Sequence, residues 1–269
     1  MAFLQQQLNY KEMAEKYSKH SDAQFMYGKK FVEALGIALG DKVLDVGCGT
    51  GEIAAYVADT VKKDGLCVGF DPDKYRIEVA MEKHLPGRTN ITFFHGDSSS
   101  KFPHANEEFY DYVLCFSVFH WMNESQKLIF LKAAYDSLRP GGKLAIFTLA
   151  DSVEIGDCTR KLFTNVKVDV DTGKVSDHLP KDINKKQEAT ELLPQYGFVT
   201  QSERCIDCPY QYKTLDDYLT WFCASAYLDK QKILPDKLEK FAQRFQNEDG
   251  TVPVNVKMFE IVATKPEGN

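Results

Sequence analysis

The run Val43-Leu44-Asp45-Val46-Gly47-Cys48-Gly49-Thr50-Gly51-Glu52 constrains this chain more than any other feature. An apolar stretch carrying one acid leads into glycines at alternate positions, and a helix-forming segment follows. This is the pattern of a buried strand that ends in a tight turn and opens a helix, with no side chains where a ligand must approach the backbone. A dinucleotide-binding turn reads G-x-G-x-x-G, whereas here the third glycine arrives one residue early. An early Gly51 and an acid at position 45 suit a ligand with a charged amino-acid tail better than a pyrophosphate. The bland alternative is a glycine-rich turn that binds nothing.

The rest of the chain reads as alternating elements. Residues 9–39 form one expected helix, with Phe31, Val32, Leu35 and Leu39 at helical spacing. Strands are expected at 42–46, 66–70, 91–95, 112–116 and 143–148. Helices are expected after Gly51, from the turn at Pro72 to about His84, and over 124–138, with Pro72 suiting a first helical turn. Such alternation predicts the α/β class: a doubly wound, seven-stranded, mostly parallel, Rossmann-like sheet with helices on both faces. Beyond Ala150 the rhythm breaks. Residues 151–185 read as an irregular insertion, 186–208 as helix, turn and strand, 214–247 as helices, and 252–264 as a long antiparallel strand. One domain over 1–269 is expected, with a core of about 40–150 and 186–264. Helix 9–39 and the segments 151–185 and 214–247 would form a lid over the substrate.

Composition narrows the function. The 269 residues are 43% hydrophobic, enough for a sizeable core. A net charge of -6 disfavours a surface built on phosphates, so no nucleic-acid partner is expected. With no long apolar stretch or basic run, no membrane partner is expected either. The N-terminal residues 1–7 lack the basic-then-apolar pattern of a secretory signal. The 7 cysteines are odd in number and scattered, which fits a reducing cytoplasm. Cys205 and Cys208 form a C-x-x-C without a second pair or a histidine cluster, so they read as structural. The expected state is monomer or homodimer, and the expected partner a small molecule.

Several residues at predicted strand ends can carry chemistry. Asp71 closes the second strand, where a carboxylate can accept hydrogen bonds from ribose hydroxyls. Asp97 closes the third, where it can accept from an adenine amino group, while Ser98 offers its backbone amide. Ser117 ends the fourth, where backbone carbonyls can meet an ammonium group. Phe119-His120-Trp121 follows directly, and would lie where cofactor and substrate pockets meet.

The glycine segment resembles motif I of the class I (seven-strand) methyltransferases, whose cofactor is S-adenosylmethionine and whose product is S-adenosylhomocysteine. In that resemblance Gly47, Cys48, Gly49 and Gly51 cradle the cofactor, and Asp45 sits beneath its ammonium group. The Phe119-His120-Trp121 segment is similar to a Val-Phe-x-Trp segment of trans-aconitate methyltransferases and to Leu-His-Trp of juvenile hormone acid methyltransferases. Tyr17-x-Lys19-x-x-x-x-Gln24 echoes the N-terminal helix of the latter. The resemblance covers roughly residues 10–150 and implies that Gln24 and Trp121 hold a substrate carboxylate. A carboxylate, with a pKa of about 4, is already ionised at neutral pH and needs no general base. The sequence therefore points to carboxyl O-methylation of a lipophilic acid without a metal. The nearest alternative is N- or O-methylation of an amine or phenol with His120 as base. A nicotinamide-dependent oxidoreductase and a non-catalytic methyltransferase-like protein are the more distant ones.

Overall fold

The computed structural model describes residues 9–98, 102–151, 153–163, 168–169, 174–175 and 185–267. The chain opens with two helices where one was expected, α1 (Tyr10–His20) and α2 (Asp22–Leu35). They part at Ser21, whose backbone leaves the helical region. The Ser21-Asp22 pair favours helix ends over helix interiors, because short polar side chains compete for local backbone groups. Gly36, at φ +73°, closes α2 in the left-handed region.

The expected rhythm then follows: β1 (Lys42–Val46), α3 (Glu52–Val61), β2 (Leu66–Asp71), α4 (Lys74–His84), β3 (Ile91–His95), β4 (Tyr110–Phe116), α5 (Glu124–Ser137) and β5 (Leu138–Leu149). β4 and β5 both begin earlier than expected. Arg139–Gly142, which falls between the expected helix 124–138 and strand 143–148, is part of β5, whose register on β4 shifts between Tyr110 and Tyr112. Helix α4 starts at Lys74, two residues later than Pro72 suggested: Asp73 caps it by accepting the Tyr75 amide at 2.8 Å, so Pro72 stands ahead of the cap.

The second half adds α6 (Glu154–Arg160), the two-residue strands β6 (Val168–Asp169) and β7 (Lys174–Val175), α7 (Lys185–Gln195), β8 (Val199–Tyr212), α8 (Leu215–Ala226), α9 (Pro235–Phe245) and β9 (Val252–Thr264). The remainder of the expected 151–185 insertion and residues 1–7 lie outside the described residues. The main sheet has seven strands in the order β3-β2-β1-β4-β5-β9-β8, and β9 alone runs against the others.

Alternation along the strands divides the core. Leu44, Val46, Val68 and Phe70 pack on one face with Phe130, Leu131 and Ala134 of α5 and Leu193 of α7. Val43 and Cys67 pack on the other with Val32 of α2, Val57 of α3 and Ile77 of α4. Strands covered on both faces must be apolar at nearly every position, which is why β1 and β2 read as continuous hydrophobic runs.

A third cluster sits apart from these two. It joins Ile155 of α6, Tyr218, Leu219 and Phe222 of α8 and Phe241 of α9 to Tyr212, Val252 and Val254. The last three come from the β8–β9 hairpin. Its strands are 14 and 13 residues long, against 5 for β1. The pairing of β9 with β5 ends at Leu149–Met258, yet β8 and β9 stay paired as far as Tyr212–Val252. The hairpin thus projects beyond the carboxyl ends of the parallel strands and carries a helical roof. Among the described residues no helix is long and apolar enough to cross a membrane.

Candidate functional site

The site is built at the carboxyl ends of β1, β2 and β4. Gly47, Gly49 and Gly51 all take positive φ, at +70°, +55° and +87°. At Gly47 a side chain is also excluded by contact: a methyl group there would come 2.3 Å from Cγ2 of Val118. The glycine loop and the segment after β4 therefore touch. Gly49 faces Tyr17 of α1, since a methyl group there would come 3.5 Å from Cε1 of that ring.

The loop's amides are largely spent inside the protein. Gly47 and Cys48 both donate to the Phe70 carbonyl, at 2.7 and 3.1 Å, and Gly51 donates to the Cys48 carbonyl at 3.0 Å. The Gly49 amide donates to Asp71 Oδ2 at 2.9 Å, and the Asp73 amide to Asp71 Oδ1 at 2.8 Å. Three carboxylates, Asp45, Glu52 and Asp71, surround this helix start. A dinucleotide turn offers free amides to a pyrophosphate; this one offers bonded amides and negative charge. The arrangement suits a cationic ligand and speaks against the nicotinamide alternative.

Asp45 makes the same point. It is 1% exposed and its Oδ2 has no hydrogen-bond partner. Burial, then repulsion from Asp71 and Glu52, pushes its pKa up to about 7. Burial raises Asp71 as well, against the pull of Arg76 and of the Asp73 and Gly49 amides. Burial would also raise Glu52, but the Thr50 hydroxyl and the Lys83 ammonium hold it below the usual carboxylate range. An ammonium or sulfonium group would relieve the repulsion and give Asp45 Oδ2 a partner beside the Ala54 amide that the carboxylate already accepts from, so these residues fit S-adenosylmethionine. The Cys48 thiol is raised far above its ordinary value, first by burial, and is chemically quiet.

The remaining expected residues are placed as follows. Asp97 is exposed and Ser98 half-buried just after β3. The Pro72 carbonyl faces His95 Nε2 at 3.0 Å. Ser117 takes a left-handed φ of +56° and donates its amide to the Phe147 carbonyl at 2.7 Å. Phe119, His120 and Trp121 form one 3-10 turn after β4. His120 is buried, with Nδ1 3.0 Å from Thr148 Oγ1 and 3.5 Å from the Leu149 amide nitrogen. A backbone N–H only donates, which assigns Nδ1 as an acceptor and the neutral ring's proton to Nε2. The Trp121 ring lies 5.3 Å from that of His120. On α2, Gly28 packs so closely on Ile53 of α3 that a methyl group would meet its Cδ1 at 2.7 Å. Gln24 lies one turn earlier on the same face, and its Oε1 is buried without a partner.

Other residues of the site gave no local signal. Arg76 of α4 stacks between Tyr17 (4.3 Å) and Tyr227 (4.9 Å) and donates to the Ala224 carbonyl at 3.1 Å. The Tyr227 hydroxyl donates to Asp73 at 2.6 Å. Glu52 accepts from Ser18 at 3.0 Å and pairs with Lys83 at 2.9 Å, tying α1 to the start of α3. Only Glu52 could have been suspected, from an acid placed directly after Gly51. All seven cysteines are free; Cys205 is exposed and Cys208 buried, as a strand spacing of three requires of opposite faces. Among the described residues no group of three or more His, Cys, Asp or Glu is arranged to hold a metal.

Comparison with known proteins bears on the fold. Residues 43–142 match the family described as "Methyltransferase domain". A putative methyltransferase, 235L of Invertebrate iridescent virus 6, is 34% identical over 110 residues, covering 41% of this chain and 38% of its own length. Demethylmenaquinone methyltransferase of Lactobacillus johnsonii is 27% identical over 182 residues, covering 63% of this chain and 72% of the relative. The chain thus spans well under half the length of the viral relative. In fold, a putative methyltransferase from Bacillus halodurans superposes with a TM-score of 0.60 at 19% identity, covering 91% of this chain and 99% of the other. Residues 43–142 are thus similar to a methyltransferase domain, and the chain shares its fold with methyltransferases of known structure, an S-adenosylmethionine-dependent one from Aquifex aeolicus among them.

Proposed function

We infer that this enzyme methylates the carboxylate of a small lipophilic acid, isoprenoid or aromatic, to give a methyl ester. The observation that carries this reading is the state of His120. The Leu149 amide donates toward Nδ1 and the Thr148 hydroxyl lies 3.0 Å from it, so the neutral ring carries its proton on Nε2 and its one lone pair, on Nδ1, is engaged inside the protein. A carboxylate is the oxygen acceptor that needs none.

In this reading Asp45, Asp71, Asp97, Ser98, Ser117 and the loop Gly47-Cys48-Gly49-Gly51 hold S-adenosylmethionine, with Pro72 beside the ribose. When bound, the cofactor supplies an electrophilic methyl group. The chain's own work is to bring the acceptor oxygen into line and exclude water, a contribution of roughly 7–11 kcal/mol when orientation is good. Gln24 and Trp121 orient the carboxylate as neutral donors; rotating the Gln24 amide by half a turn points its NH2 where Oε1 now lies. An arginine would bind the anion more tightly and blunt its nucleophilicity. His120 packs against Trp121 and fixes it. No metal takes part.

A second reading has support from the relatives, whose name denotes methylation of a demethylmenaquinone. A phenol-like or amine acceptor would need a base, and His120 stands nearest. A methyl-transfer screen over fatty, isoprenoid, aromatic and tricarboxylic acids, phenols and amines tests both. We expect only acids to react, with Gln24→Ala and Trp121→Phe each costing about tenfold or more in kcat/KM, as for a hydrogen bond to a charged group. His120→Ala should cost less. A chelator should leave the rate unchanged. An indispensable His120 beside a neutral Gln24 would promote the second reading.

A further inference from the structure

Among the described residues the buried side-chain atoms without a partner are Gln24 Oε1, Asp45 Oδ2, His84 Nε2, Tyr110 OH, Trp221 Nε1 and Ser225 Oγ. Gln24 and Asp45 belong to the site already described. Tyr110 begins β4, at the far end of the sheet, and the His84 ring packs on Phe93. Trp221 and Ser225 remain. They stand one turn apart on α8 and share a face. A donor shut away from water with nothing to bond is costly, and two on one face point to a ligand.

The surroundings say where that face looks. Asp217, one turn before Trp221, lies 3.8 Å from His20 at the end of α1. Ala224, beside Ser225, accepts from Arg76, and Arg76 stacks on Tyr17, which covers Gly49. Positions 217, 221 and 225 are therefore turned toward α1 and the glycine loop. The Trp221 ring rests on Tyr212 at 5.5 Å, an apolar wall suited to a hydrocarbon body.

We propose that Trp221 Nε1–H and the Ser225 hydroxyl bind a second oxygen of the acceptor, remote from the group that is methylated, so that the preferred substrate is a lipophilic acid bearing a distal hydroxyl or carbonyl. An indole N–H only donates, so its partner is an acceptor. A neutral oxygen fits better than a second carboxylate, because the cations around α8 are already engaged: Arg76 with Asp73, Lys230 with Asp216 and Arg160 with Asp157. The assignment rests on the acid reading above for the identity of the reacting end.

The test uses matched pairs of alkanoic and ω-hydroxyalkanoic acids of increasing chain length. At the best length the wild-type enzyme prefers the hydroxylated member by about tenfold in kcat/KM, the worth of a good neutral hydrogen bond. Trp221→Phe and Ser225→Ala each bring that ratio toward one. The chain has 2 tryptophans, so the wild-type enzyme gives two indole N–H resonances, and the one lost in Trp221→Phe is that of Trp221. It shifts downfield with the hydroxylated acid and not with its parent. Equal rates on both members of every pair, an unmoved resonance, or a parallel fall on both members in the variants would overturn the assignment. If phenols or amines react and acids do not, the acid reading fails on its own. The same pairs built on phenols or amines then decide the role of α8.

Discussion

Around Gly47–Gly51 the shape is set by backbone, whereas in the roof of α6, α8 and α9 it is set by side chains. In the loop, three glycines take positive φ, close approach excludes a side chain at Gly47 and Gly51, and amides bond to the Cys48 and Phe70 carbonyls and to Asp71. In the roof, Tyr212, Tyr218, Phe222 and Phe241 form a small core of their own, drawn from elements far apart in the chain. In the proposed function one region holds the common cofactor and the other faces whatever is methylated. A domain that keeps its reagent and varies its acceptor gains from this division, because aromatic packing tolerates substitution far better than a left-handed glycine does.

The sharpest way to break the comparison is Gly47→Ala. Left-handed strain of about 1–2 kcal/mol and overpacking against Val118 of about 1–3 kcal/mol should together cost roughly 4 kcal/mol and abolish cofactor binding. Gly49→Ala, whose nearest contact is an ordinary 3.5 Å, should cost only the strain. Denaturant melts read both, and equal losses would refute the packing argument. In the roof, Phe241→Ala should remove about 3 kcal/mol of stability and raise the acceptor KM, while leaving cofactor affinity within about twofold. A matching loss of cofactor affinity would show that the two regions are not separable.

Asp71→Ala tests the loop from its acidic side. The carboxylate bonds the Gly49 and Asp73 amides and is placed to meet ribose, so cofactor affinity should fall tenfold or more by calorimetry. Unchanged affinity in the folded variant would remove Asp71 from the site. The smallest effect concerns pH. The folded-state pKa of Asp45 is raised to about 7, so its contribution to stability is full below about pH 4 and is lost as pH rises through 7. A cationic ligand prefers the ionised form, so cofactor affinity should rise about tenfold between pH 6 and pH 8. Asp45→Asn should flatten that profile, and a profile unchanged by the substitution would assign the titration elsewhere.

Legibility in the sequence follows the same division. β1, α3, β3 and β9 lie where periodicity and glycines put them, because their signals are local. The errors have physical causes. Ser21 splits a helix whose apolar spacing runs on through it. Arg139–Gly142, left between the expected helix and strand, is drawn into β5 by backbone bonds of Gly141 and Gly142 to Lys265. Helix α4 waits for the Asp73 cap rather than starting at Pro72. The positive-φ glycines and the placing of Asp45 and Asp71 on β1 and β2 were legible because strand ends announce them. Arg76, Tyr227 and Ser225 were not, since each acts only through partners brought in by tertiary packing.

In the proposed function the projecting β8–β9 pair sets the height of the acceptor chamber. Side chains on a strand alternate faces, so a one-residue insertion in its upper part would turn Tyr212 and Val254 outward and empty the roof's core. A two-residue insertion in each strand would preserve their facing and lift the roof by roughly 6–7 Å, about the length of five methylene groups, without touching the glycine loop. The fold thus contains a ruler graduated in pairs of residues, by which descendants of one ancestral enzyme can fit longer or shorter acceptors.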